Sequence, residues 1–149
     1  MRHWLSFILI ISVFTLDRIA KTLALKYLFL KTLKITPFLS FTYVENTGVS
    51  FGMFRDNNAF FTVFSAALIG ILMLIRRRLA SRGKALLFGV SLIIGGALGN
   101  LYDRIVYRCV IDFIDLKFFP AVFNPADFSI TTGAVLAAFG MFSEQATRR

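Results

Sequence analysis

The chain has 149 residues, of which 57% are apolar and 17% charged, with 18 Phe and a mean hydropathy of +0.73. That apolar share exceeds the norm for a soluble domain and has the character of an integral membrane protein, while the length suits a single domain, 1–149. The formal net charge of +9 therefore needs an explanation within a membrane protein.

Four windows are long enough, or nearly so, to cross a hydrocarbon core that takes about 20 helical residues: about 3–27, 57–75, 85–102 and 127–143. In the first, only His3 to Leu16 is free of charge, so it spans only if Asp17, Arg18 and Lys21 lie within the helix. A signal peptide is the competing reading, because Arg2 and His3 precede an apolar run. No small-x-small cleavage site follows Leu16, which favours a retained helix. Residues 38–54, "FLSFTYVENTGVSFGMF", are rich in Phe, Thr, Tyr and Val with Gly48 and Gly52. They predict short strands with a tight turn, forming a small sheet element on the outer membrane surface.

The 76–84 loop, "RRRLASRGK", carries five basic residues and no acid. With Arg2, Arg148 and Arg149 it places both termini and this loop in the cytoplasm by the positive-inside rule, leaving 28–58 and 103–126 outside. Its position between two spans favours this reading over nucleic-acid binding, so no nucleic-acid partner is expected. Residues 105–126 include the aromatic "FFPAVFNP", which predicts an interfacial re-entry segment.

Elimination narrows the chemistry. The one Cys, Cys109, and the one His, His3, fall on opposite sides of this topology, so a Cys/His pair, a Ser/His/Asp triad and a His/Cys zinc site all lack members. No glycine-rich phosphate loop is present. No metal or organic cofactor is expected. What remains is aspartate, at 17, 56, 103, 112, 115 and 127. Asp17 and Lys21 stand one helical turn apart and can pair, which suits structure better than catalysis. Asp103, Asp112, Asp115 and Asp127 gather at the outer face. Two carboxylates brought close share one proton, and such a pair can activate water while its protonated member polarises an amide carbonyl. Spacing alone does not establish that Asp112 and Asp127 meet. A transporter would place its acid near the midplane, in a site open to both sides. A non-catalytic assembly factor held by charge pairs would tolerate Asp112→Asn.

"LDRIAK", "VENTGVSFGMF", "GGALGNLYDRI", "VIDFI" and "FNPADFSI" occur in this order, and together they resemble the successive signatures of the lipoprotein signal peptidase (signal peptidase II) family across the whole chain. The resemblance implies a mainly α membrane protein of the bacterial cytoplasmic (inner) membrane. Its four transmembrane helices would carry a small β element and a short re-entry segment on the outer face. It further implies an aspartic endopeptidase that cuts diacylglyceryl-modified prolipoproteins just before the lipid-bearing cysteine. By this resemblance Asp112 and Asp127 are the catalytic dyad. Asn46, Gly48, Asn100, Asp103, Arg104 and Asn124 would shape the substrate pocket, with Asp17 and Lys21 supporting. Helix capping for Asn100 and Asn124 and a topological role for Arg104 are the plainer alternatives. Implied partners are lipidated prolipoproteins, membrane lipid and cyclic peptide inhibitors of the globomycin type. One local departure is Val49 and Ser50 after "NTG", where the family often has a small residue such as Ala.

Overall fold

The computed structural model describes residues 2–48 and 57–147. The chain runs α1 (Arg2–Leu28), β1 (Thr32–Lys34), β2 (Leu39–Asn46), α2 (Asn58–Ala80), α3 (Lys84–Val106), β3 (Val110–Leu116) and α4 (Pro125–Thr147). Val49, Ser50 and Asp56, and the distal part of the expected strand segment with Gly52, lie outside the described residues.

Each of the expected helical windows forms one helix. Asn58–Arg76, Lys84–Val106 and Pro125–Ser143 are long and apolar enough to cross a membrane. The 27 residues of α1 measure about 40 Å at 1.5 Å per residue, but Asp17, Arg18, Lys21 and Lys26 set its composition apart. Its buried positions are Ser6, Ile10, Asp17, Lys21, Ala24 and Leu28, whereas Trp4, Ile8, Ile11, Leu16, Ile19 and Leu23 are exposed. The buried set recurs every three or four residues, or at the sum of the two, and so forms one face of the helix. That face is inverted relative to a protein in water, with Asp and Lys inside and Ile and Leu outside.

α3 is the hub: it packs on α1, α2 and α4, and 56% of its spanning window is buried, against 6% for α2. Ile10, Ile69, Leu86, Val90, Ile94, Ala97 and Ala137 form the core between the helices. Close approach of α3 to its neighbours requires glycine at two places. A Cβ on Gly96 would lie 2.5 Å from the Ala126 carbonyl oxygen, and one on Gly99 would press into the Asp17 carboxylate. At the opposite end of the bundle Arg76 is buried, donates to the Ser6 hydroxyl and stacks 3.6 Å over the Phe7 ring.

The three strands form an antiparallel sheet in the order β1-β2-β3. The expected β element therefore forms, but its hairpin lies upstream of the expected glycine turn. Thr32 pairs with Thr42 and Lys34 with Ser40, and the intervening turn is held by Leu39 N–H donating to Thr36 Oγ1 at 3.0 Å. The third strand comes from the segment expected as a re-entry element. Arg108, at φ 64°, is the left-handed residue that ends α3 and turns the chain into β3. Residues 110–116 then pair with β2, with an irregularity between Phe41 and Val44, residues 117–121 turn, and Phe123 bridges back to Ile114. β-branched Val110, Ile111 and Ile114 favour this extended path. Phe113 and Phe41 seat the sheet against Ala24 and Leu28 at the end of α1.

Candidate active site

The sequence "FNPAD" reads directly as a helix start. Asn124 is the N-cap, Pro125 occupies the first helical position where its missing N–H is harmless, and Asp127 is the third residue of the first turn. Asp127 N–H donates to Asn124 Oδ1 at 3.0 Å, and Asn124 N–H donates back to Asp127 Oδ2 at 3.2 Å. This reciprocal pair is a capping box. The remaining first-turn donor, Ala126 N–H, reaches across to Asp17 Oδ1 at 3.1 Å. One function of Asp17 is thus to satisfy the end of α4.

Asn124 has a second partner. Its Nδ2 donates to Asp112 Oδ1 at 2.5 Å, so this one buried residue joins both carboxylates, Asp112 through its side chain and Asp127 through its backbone N–H. Asp112 lies in β3, where alternation sends residues 112 and 115 to opposite faces. Asp115 accordingly accepts the Ser40 hydroxyl at 3.2 Å and has no part in the cluster.

Three side-chain amides converge on the two carboxylates, and each has its carbonyl end engaged by a group that can only donate. Asn46 Oδ1 accepts Gly48 N–H at 3.1 Å while Nδ2 reaches Asp112 Oδ2 at 2.9 Å. Asn124 Oδ1 accepts Asp127 N–H, as above. Asn100 Oδ1 accepts the Lys21 ammonium at 2.7 Å while Nδ2 reaches Asp127 Oδ1 at 2.8 Å. Their NH₂ groups are thereby turned to the acids, where donors stabilise negative charge. Burial works the other way and wins at Asp112. Removal from water, followed by the charge of Asp127, pushes its carboxyl up to about 7 against the pull of Asn46 and Asn124.

Behind the carboxylates is a buried ionic cluster of two acids and two bases. Lys21 Nζ lies 3.1 Å from Asp17 Oδ2 and 2.7 Å from Asp103 Oδ2, and Arg18 Nη2 lies 2.7 Å from Asp103 Oδ1 and 3.2 Å from Asp17 Oδ2. Asp103 Oδ2 also accepts Ile111 N–H at 3.2 Å, which fixes β3 to α3. The Asp17 and Lys21 pair is thus present, in a larger set that includes Arg18. The sequence placed Arg18 in the helix but gave no sign of its partner.

Asp112 and Asp127 open into one cavity of about 470 Å³, whose wall includes Asn46, Gly48, Asn100 and Arg104 together with Leu116, Phe119, Phe123 and Phe128. Asp103 and Asn124 are fully buried and stand behind this wall. Arg104 Nη2 donates to Gly48 carbonyl oxygen at 2.8 Å, and its own carbonyl accepts Asn58 Nδ2 at 3.1 Å. Asn58 is a site neighbour that nothing in the sequence singled out. Cys109 is buried, and burial pushes its thiol up to about 11, so it stays neutral.

The family model for signal peptidase (SPase) II matches residues 9–143. The chain is similar to the lipoprotein signal peptidase of Caldicellulosiruptor bescii, 41% identical over 97% of this chain and 93% of that protein. It is likewise similar to that of Caldanaerobacter subterraneus subsp. tengcongensis, 38% identical over 92% and 95%. A bacterial membrane enzyme solved by the in meso method at 2.3 Å shares its fold with a TM-score of 0.85 at 24% identity, covering 97% of this chain and 91% of that one. With a match over most of its length and relatives at this identity, the chain, a multi-pass bacterial membrane protein, belongs to the signal peptidase II family.

Proposed function

We propose that this chain is an aspartic endopeptidase of the cytoplasmic membrane that removes the signal peptide from diacylglyceryl-modified prolipoproteins, cutting just before the lipidated cysteine. The observation that carries the reading is that Asp112 and Asp127, from a strand and from a helix start, line one cavity and share Asn124. With its carboxyl near 7, Asp112 is the member that bears the proton and donates it to the scissile carbonyl oxygen. Asp127 accepts a proton from water as the water oxygen bonds to the carbonyl carbon. Collapse of the tetrahedral intermediate breaks the C–N bond, the proton held by Asp127 passes to the leaving amine, and a hydroxyl proton of the intermediate returns to Asp112 as the carbonyl re-forms.

In this reading Asn46, Gly48, Asn100 and Arg104 meet the extended substrate backbone, while Asn124 and Asp103 hold the wall from behind. Asp17 and Lys21 support it. α1 is the fourth span. Its inverted face supports this, because the charges are neutralised against α3 while Ile and Leu face outward. The sheet end of the bundle lies at the outer leaflet and the termini in the cytoplasm, a placement the Arg-rich 76–84 loop supports. The whole chain acts as one peptidase domain. A substrate then reaches the acids by diffusion with its acyl chains still in lipid, and cyclic peptides of the globomycin type would compete for the same cavity.

The test is incubation of the purified chain with a diacylglyceryl-cysteine prolipoprotein and with the same peptide bearing a bare cysteine, followed by mass analysis of the products. Each buried CH₂ adds about 0.8 kcal/mol to retention at the membrane, so only the lipidated substrate should be cut efficiently, releasing a mature protein that begins at the modified cysteine. Equal cleavage of both, or a cut elsewhere, would refute the proposal.

A further inference from the structure

We propose that Lys21 is a positioning residue for Asp127, acting through Asn100: its ammonium decides which end of the Asn100 amide faces that carboxylate. The inference rests on the reading of Asp127 as a member of the catalytic pair. A primary amide has ends of nearly equal size but opposite function, one accepting and one donating, so packing alone does not choose between them. At Asn100 the choice is electrostatic. Lys21 Nζ, a pure donor, sits 2.7 Å from Oδ1, and the opposite end of the amide presents Nδ2 to Asp127 Oδ1 at 2.8 Å. Rotation by half a turn would set NH₂ against the ammonium and C=O against the carboxylate, two repulsive contacts in place of two attractive ones.

Lys21 is itself held without slack. It is fully buried, donates to Asn100 Oδ1, and its Nζ is paired with Asp17 Oδ2 at 3.1 Å and Asp103 Oδ2 at 2.7 Å. The hydrogen-bonded route from Lys21 to Asp127 passes through the amide. Asn46 and Asn124 are oriented by the backbone N–H groups of Gly48 and Asp127, which no side-chain substitution removes. Of the three amides, Asn100 is the one whose polarity depends on a replaceable side chain.

A direct charge effect of Lys21 on Asp127 would survive removal of Asn100, whereas an orientation effect would not. The test is therefore a double-mutant cycle in the full chain in detergent, reading kcat and KM on a diacylglyceryl prolipoprotein for Lys21→Met, Asn100→Ala and the double variant. A small misplacement of a catalytic group costs about 100-fold. Lys21→Met is expected to lower kcat about 10- to 100-fold while KM moves much less, and the double variant to be no slower than Asn100→Ala alone. Multiplicative losses, or a change in KM alone, would overturn the inference. If Lys21→Met does not fold, the side-chain amide resonances of ¹⁵N-asparagine-labelled chain carry the test with Lys21 intact. The Asn100 NH₂ signal should move in Asp127→Asn, and an indifferent signal would overturn the inference. Asp127→Asn in the same cleavage assay separates the two levels. An active Asp127→Asn removes the underlying reading, while an inactive Asp127→Asn beside a fully active Lys21→Met removes this inference alone.

Discussion

Replacing Asn124 separates its two structural duties. The side chain caps α4 through Oδ1 and donates to Asp112 through Nδ2, so Asn124→Ala removes both, whereas Asn124→Ser keeps an acceptor of the right length for the cap but no donor that reaches β3. Loss of an N-cap costs about 1 kcal/mol, which in a chain of this size lowers the melting temperature by about 2–4 °C. A hydrogen bond to a charged group, which Asp112 becomes as it gives up its proton, is worth about 1.5–3 kcal/mol. If that bond acts in the transition state, its loss is about 10- to 150-fold in rate. Thermal unfolding in detergent and single-turnover cleavage of a diacylglyceryl prolipoprotein read the two effects separately. Asn124→Ala should melt lower and cleave slowly; Asn124→Ser should regain the melting temperature and remain slow. Full activity in Asn124→Ser would refute the reasoning, reducing Asn124 to a helix cap.

The pH profile should report Asp112. A carboxyl raised to about 7 is protonated below that value in the folded protein, and if the proton is needed, kcat/KM should fall about tenfold per unit on the alkaline side of about pH 7. The sign for stability is the same: the raised value favours the fold most at acidic pH, and that contribution is lost as pH rises from the ordinary carboxylate range through about 7. A profile flat to pH 9 would contradict the assignment. For topology, single cysteines at Lys31 and Ser81, both exposed, should be labelled from outside the cell at 31 and not at 81, with buried Cys109 silent. The reverse pattern would invert the orientation.

Apolar runs made the helices legible because hydrocarbon imposes their length and composition almost residue by residue. Strand pairing was not legible in the same way. "TLK" at 32–34 has no periodicity of its own and becomes β1 only because β2 lies alongside it. "VIDFI", read from its aromatic neighbours as part of a re-entry segment, is extended because Arg108 turns the chain and β2 supplies hydrogen-bond partners. That pairing is what sends Asp112 and Asp115 to opposite faces, a result hidden in the sequence, where a helix would have put them together. The carboxylates and amides of the site stood out as polar residues flanking apolar runs. Their connections did not: Arg18 to Asp103, Asn58 to Arg104 and Lys21 to Asn100 span 46 to 85 positions along the chain, and only packing of α1, α2 and α3 brings them together.

The most direct measurement is single-turnover cleavage of a diacylglyceryl prolipoprotein by three folded variants, Asp112→Asn, Asp127→Asn and Asp115→Asn. Each substitution keeps side-chain size and removes the capacity to exchange a proton, a loss worth about 10²- to 10⁴-fold for a general acid or base. Asp112→Asn and Asp127→Asn should each abolish cleavage, and Asp115→Asn, which alters only the contact with Ser40 on the other face of β3, should retain most of it. An active Asp112→Asn beside an inactive Asp115→Asn would contradict the account.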